Sequence, residues 1–158
     1  PRTPIGRCWG TFHMHHPRFQ PTKVIISKQV RRWSDDPLAS CKSLNYGAQV
    51  LARSEALRQG ADDALLLNTE GELCCGSSAN LLVQRSGQWL TPPIRSGCLP
   101  GVMRALGLEL NVIKEEALSS SLREDEPAVL LNSLDCRPLN NQAKLLSRRL
   151  FEQLLRSA

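Results

Sequence analysis

The sequence predicts a mixed α+β domain in which helices cover a many-stranded sheet. Two observations predict it: a β-branched run followed by a ladder of short apolar segments divided by turn residues, and stretches between them in which apolar residues recur at helical spacing. At 158 residues the chain has the length of one ordinary domain, enough to bury a sizeable core.

Residues 1–22 hold four of the ten prolines and no sustained period, so residues 1–21 read as a linker or extended arm and residues 22–158 as the domain. TKVIIS, 22–27, is β-branched and predicts a strand. Leu44, Ala48, Leu51 and Ala52 then share one face of a helix, with Asn45 near enough to cap its start and Gly60 where it stops. DALLLN and NLLVQR predict strands of a meander, with NTEG and RSGQ as its tight turns. A helix begins after Pro100 and carries Val102, Met103, Ala105 and Leu106. ELNVIKEEA predicts a strand, ALSSSLRED a short helix and EPAVLLNSL a buried strand. The last 18 residues form a helix with Leu145, Leu146, Leu150, Leu154 and Leu155 as its apolar stripe.

Composition excludes several classes. With 41% apolar and 22% charged residues the chain is neither disordered nor membranous, and no apolar run approaches the ~20 residues that span a bilayer. The net charge of +5 is scattered among acids, aromatics are 4%, and KQVRRW at 28–33 is the nearest thing to a basic patch, so no nucleic-acid partner is expected. Cys8, Cys41, Cys74, Cys75, Cys98 and Cys136 form no CxxC pair, and HMHH at 13–16 reads as a solvated loop, so no metal is expected. The start, PRTPIGRCWG, has neither Met nor an apolar signal core. It reads as the interior of a longer cytoplasmic protein with reduced thiols.

Four motifs occur in one order: K-x-L-N at Lys42, G-A-D-x-A-L-x-L at Gly60, S-x-N-L ending on Asn80 and Leu81, and T-P-P followed by L-P-G-x-x-R ending on Arg104. In this series the chain resembles the class IV aminotransferases, the fold-type IV pyridoxal-phosphate enzymes, over about residues 22–158. The resemblance implies the larger, cofactor-binding domain of that fold, a multi-stranded pseudo-barrel sheet with flanking helices, and a homodimer. It implies that Lys42 condenses with the aldehyde of pyridoxal 5'-phosphate, that the Tyr46 hydroxyl approaches the cofactor's phenolic oxygen, and that Asn80 lies beside the cofactor. Gly101, Val102 and Met103 would form a phosphate cup at a helix start, with Ser133 as a second phosphate contact.

Two departures stand beside the matches. The family's glutamate, five residues before the motif Asn, pairs with the pyridine nitrogen; here that position is Cys75, and Glu72 stands three residues too early, on the opposite face if the strand alternates. The family's smaller N-terminal domain is not in the sequence. A weakened electron sink favours a lyase driven by aromatisation, acting on a small-molecule amine: 4-amino-4-deoxychorismate to 4-aminobenzoate and pyruvate. The alternatives are a class IV aminotransferase for a branched-chain or D-amino acid and a non-catalytic relative.

Overall fold

Two parallel crossovers with a meander between them build the sheet. In the computed structural model, which describes residues 10–157, β1 (Val24–Arg32) pairs in parallel with β2 (Asp63–Asn68) across helix α1 (Gly47–Arg58). β3 (Leu73–Gly76), β4 (Asn80–Arg85) and β5 (Gln88–Thr91) continue antiparallel from β2. α2 (Val102–Glu109) then carries the chain to β6 (Ile113–Glu115), which is parallel to β5. β7 (Ala128–Leu131) pairs with both β4 and β8 (Cys136–Pro138), and α3 (Ala143–Arg156) ends the domain. The eight strands form one mixed sheet with three helices, as the α+β reading expects.

The core divides by strand alternation. Leu65, Leu67, Leu73, Leu81, Val83, Leu90, Ala128 and Leu130 form a cluster with no helical residue in it, so the sheet curls around its own side chains. The alternate residues face helices. Leu66, Cys74 and Cys75 lie with Ala52 and Ala56 of α1, while Leu82, Val129 and Leu131 lie with Met103 of α2 and Leu150, Phe151 and Leu154 of α3. Both turns of the meander are as the sequence expects: Gly71 has φ +84°, and Ser86 and Gly87 have φ 47° and 80°.

Other expectations are corrected. The α1 face turned to the sheet is Ala52, Glu55 and Ala56, whereas Leu44 is 96% exposed and Leu51 is 57% exposed. The N-cap residue is Tyr46, without a side-chain capping bond, so Asn45 does not cap the helix. ALSSSLRED is not helical: Leu118 bridges Leu73, and the Ser119 hydroxyl donates to Ser121 O at 3.2 Å, the kind of local bond by which serines compete with a helix. The strand expected over 109–117 shrinks to β6 because α2 runs through Glu109 and Asn111, at φ 57°, turns the chain. The buried stripe of α3 is Ala143, Ser147, Leu150, Phe151 and Leu154; Leu145 and Leu155 face outward. Cys8 and the first nine residues of the expected arm lie outside the described residues, among which no helix is long and apolar enough to cross a membrane.

Glu55 explains why α1 docks on small side chains. The register of β1 on β2 breaks between Ile26 and Arg31, which leaves N–H groups of residues 28–30 off the ladder. The Ser27 hydroxyl donates to Glu55 Oε2 at 2.6 Å, Lys28 N–H to Oε1 at 3.0 Å and Gln29 N–H to Oε2 at 3.4 Å, and Val30 N–H donates to Ser27 Oγ at 3.1 Å. The Ser27 hydroxyl first, then the Lys28 N–H, hold the Glu55 carboxyl below its ordinary range. A depressed folded-state pKa gives stability that is complete above the unfolded value and is lost as pH falls through the folded one. Urea midpoints should therefore fall as pH drops below about 4. Glu55→Ala should cost about 2 kcal/mol at pH 7 and flatten that acid decline. An unchanged acid decline in the variant would show that other carboxylates carry it.

Candidate functional site

Lys42 and Tyr46 meet at the start of α1. Lys42 Nζ donates to Tyr46 Oη at 3.2 Å and stands 5.7 Å from the ring centroid. β1 stops at Arg32, and Lys42 lies in the irregular chain before α1. That chain is tied at its beginning. Arg32 Nε donates to Gly97 O at 2.9 Å, and Asp35 N–H donates to Arg95 O at 2.7 Å. Gly97 has φ 90°, and a Cβ there would overlap the Trp33 carbonyl oxygen, so only glycine allows this approach. The segment leading to Lys42 thus starts against the segment leading to Gly101.

Asn80 organises the second group. Its backbone registers with Cys75 of β3 and Leu131 of β7, and its side-chain Nδ2 donates to Leu99 O at 2.8 Å. Its Oδ1 occupies the space that a Cβ on Gly101 would need. Gly101, at φ −65° and ψ 146°, is the N-cap of α2; no side chain caps that helix and no acid lies in its first turn. The first N–H groups of α2 therefore have no side-chain acceptor, which suits a phosphate dianion. Val102 is exposed and Met103 is buried against α3 residues, so these two would offer backbone rather than side chains. Arg104, missed as a structural residue, is buried and donates to Pro92 O at 2.9 Å and to Glu115, joining T-P-P, α2 and β6.

The cysteine pair departs from alternation. Cys75 opposes Leu66 and Leu73 opposes Leu67, which makes Cys74 the extra residue of a bulge. Both sulfurs therefore fall on the Leu66 side, in the cluster with Val30, Ala52, Ala56 and Cys98, where unbroken alternation would send them to opposite faces. Hydrogen-bond contact with Cys75 and with Cys98, then burial, push the Cys74 thiol far up. The bulge also returns Glu72 to the Cys75 side, against the alternation argument. Glu72 Oε2 there accepts Asn68 Nδ2 at 3.2 Å, within the turn between β2 and β3. No acid stands at Cys75 itself.

Ser133 sits exposed on the turn that follows β7. Asn132 Oδ1 accepts Leu134 N–H and Asp135 N–H, each at 2.9 Å, and Asn132 Nδ2 donates to Ser78 O at 3.4 Å. His15 Nε2 lies 3.2 Å from Asp135 Oδ1, and no group of three metal-ligating side chains occurs among the described residues. Sequence reasoning also missed Asp63, whose Oδ2 accepts Arg137 Nη2 at 2.7 Å and whose Oδ1 accepts Ser77 N–H at 3.2 Å. An acid at the head of the apolar run at residues 64–67 was the available signal. Two shallow surface depressions among the described residues, of about 470 and 340 Å³, are lined by other residues.

Comparison with known proteins supplies the context. Residues 9–141 match the profile of the amino-transferase class IV family. A Schizosaccharomyces pombe protein provisionally named aminodeoxychorismate lyase is 31% identical over 119 residues, which are 72% of this chain and 52% of that protein. The branched-chain-amino-acid aminotransferase of Escherichia coli (strain K12) is 34% identical over 117 residues, 70% of this chain and 38% of that enzyme. A solved Legionella pneumophila structure, provisionally named 4-amino-4-deoxychorismate lyase, superposes with a TM-score of 0.74 at 27% identity, covering 92% of this chain and 59% of that one. The chain thus spans about half the length of the first of these relatives, and less of the second.

The contact of Asn80 with Gly101 yields a direct test. Gly101→Ala should force the Asn80 carboxamide off Leu99 O and cost about 1–3 kcal/mol, read as a lower urea midpoint. In the Asn80→Ala background the same change should cost much less, because the obstructing oxygen is gone. Equal costs in both backgrounds would refute the contact.

Proposed function

The chain belongs to the amino-transferase class IV family, and from that premise we propose that residues 22–158 are the cofactor-binding large domain of a pyridoxal-phosphate lyase, joined by residues 1–21 to a smaller domain. The substrate is 4-amino-4-deoxychorismate, and the products are 4-aminobenzoate and pyruvate. The observation that carries the choice of lyase is Cys75, buried among apolar side chains where the resemblance calls for a carboxylate.

The residues present fit the cofactor's phosphate: an uncapped helix start, a glycine with no room for a Cβ, and a serine on the turn after β7, the strand that pairs with β4 at Asn80. Gly101, Val102 and Met103 would hold it through backbone N–H groups, with Ser133 adding its hydroxyl and Asn80 fixing the cup. Bound pyridoxal phosphate supplies an aldehyde that exchanges amines and a ring that accepts electron density. Lys42 would be the residue whose amine holds the cofactor's aldehyde and, once free, would remove the proton from the amine-bearing ring carbon of the substrate. The Tyr46 hydroxyl, already accepting a hydrogen bond from Lys42, orients that amine. The C–H electron pair enters the substrate ring as the C–O bond to the enolpyruvyl group breaks; the released enolpyruvate takes a proton to become pyruvate. Aromatisation supplies the driving force, so the missing carboxylate costs this reaction less than it costs a transamination.

The aminotransferase reading stands second, favoured by the similarity to the Escherichia coli enzyme. We place the protein in the cytoplasm, where its five described cysteines, all free, stay reduced. We also infer a homodimer, supported by the exposed Leu44, Val50, Leu51 and Leu57 on and beside α1. Light scattering of the native protein should return twice the monomer mass, and a monomer would remove that inference.

Adding pyridoxal phosphate should produce a visible absorbance band that Lys42→Ala abolishes. If Lys42→Ala keeps the band, the lysine assignment fails. Wild-type protein should release 4-aminobenzoate. Cys75→Glu should raise transamination of a simple amino acid at least about tenfold while changing lyase turnover much less. Brisk wild-type transamination, or a parallel rise in both activities, would move the aminotransferase to first place.

A further inference from the structure

We propose that Arg18 is a positioning residue for Ser133: by saturating the buried carboxylate of Asp135, it holds in place the turn that presents the Ser133 hydroxyl. The inference rests on the reading of Ser133 as a phosphate contact.

Ser133 stands on a turn with three internal bonds. Asn132 Oδ1 takes two of them, and Asn132 N–H donates to Asp135 O at 3.0 Å. The far end of this turn is Asp135, whose side chain is 3% exposed. A carboxylate so removed from water needs donors, and those seen among the described residues come from the arm that precedes β1. Arg18 gives three: Nε at 3.1 Å and Nη2 at 2.8 Å to Oδ2, and its backbone N–H at 2.9 Å to Oδ1. His15 Nε2 is 3.2 Å from both Oδ1 and the Leu134 carbonyl oxygen; facing two acceptors, it carries the proton. Burial works to raise the Asp135 carboxyl, and the hydrogen bonds from Arg18 and His15 together with the Arg18 charge outweigh it, leaving the carboxyl below its ordinary range.

The arm is seated independently of this pair. Phe19 meets Phe151 of α3 edge-on at 6.0 Å, the Arg148 guanidinium lies 4.8 Å from the Phe19 centroid, and Thr22 N–H donates to Pro138 O at 2.7 Å. Arg18 is thus delivered to Asp135 by a fixed stretch of chain. Without its guanidinium, Asp135 keeps one backbone donor and His15, and its carboxylate must turn toward water. That rotation draws on the same short turn as Ser133, whereas the N–H groups of α2 are anchored separately through Asn80.

The test compares Arg18→Met and Arg18→Lys with wild type and Ser133→Ala, by titrating pyridoxal phosphate and pyridoxal and by amide hydrogen exchange of the cofactor-free protein. Arg18→Met should weaken pyridoxal phosphate about fivefold, leave pyridoxal within twofold and speed exchange over residues 132–135. Arg18→Lys, which keeps the charge but not the fork, should fall between, and serves if Arg18→Met does not fold. Added to Ser133→Ala, Arg18→Met should weaken binding no further. Equal weakening of pyridoxal and pyridoxal phosphate, full additivity, or unchanged exchange over residues 132–135 would each overturn the inference. If Ser133→Ala binds pyridoxal phosphate as wild type does, the phosphate reading of Ser133 fails and takes the inference with it. Should wild type bind neither compound, the functional reading fails, and the exchange measurement alone decides whether Arg18 holds the turn.

Discussion

The constraint on which the candidate site depends is the packing of one carboxamide. Asn80 begins β4, and its backbone joins β3 at Cys75 and β7 at Leu131, so three strands meet where its side chain leaves the sheet. That side chain reaches the chain before α2 at Leu99 and sits where any residue but glycine at 101 would collide with it. Two motifs distant in sequence are thereby locked together through a single buried polar group. Arg104 repeats the device one helical turn later, tying α2 to Pro92 and Glu115. The start of α2 is thus fixed from two directions, and its free N–H groups point where regular structure aims them.

Buried carboxylates do related work elsewhere. Each accepts backbone N–H groups that the strand ladders leave over: Glu55 those at the break in β1, Asp63 that of Ser77 in the loop after β3, and Asp135 that of Arg18 in the arm before β1. A charge in such a place is costly alone, and its value lies in closing donors that would otherwise be buried unpaired. The irregularities are therefore built into the fold, and the acids mark them. This accounts for an acid on the sheet-facing side of α1, where a leucine would have packed more simply.

Much of this was legible in the sequence where local chemistry decides the outcome. Gly71 and Gly87 adopt the positive φ their turns require, and Gly101 opens a helix. Helix faces were less legible. In α1 the small residues Ala52 and Ala56 face the sheet and the larger Leu51 faces outward, so counting apolar residues chose the wrong side. The bulge at Cys74 lay beyond pattern reading, because one inserted residue reverses the facing of everything before it and leaves no trace in hydropathy. In the site, Lys42 and Tyr46 were legible as near neighbours. The pairing of Arg18 with Asp135 was not, since it spans 117 positions and neither residue belongs to a motif.

The two halves of the candidate site differ in how firmly they are held, and that difference bears on the proposed chemistry. The phosphate half rests on strand ends, a helix start and buried hydrogen bonds. The lysine half rests on irregular chain, with Lys42 and Leu44 exposed and Trp33 and Leu38 of the same stretch exposed too. Amine chemistry of the proposed kind needs a site closed to water, since hydrolysis competes with every exchange step. The exposed apolar side chains around Lys42 would make such a closure favourable, because covering them removes hydrocarbon from water while Lys42 and Tyr46 keep each other's hydrogen bond. The division is therefore functional on this reading. On the proposed function, the cradle built at the start of α2 would orient the cofactor through its phosphate, while the half that would exchange one amine for another rests on irregular, exposed chain that a covering surface would have to close.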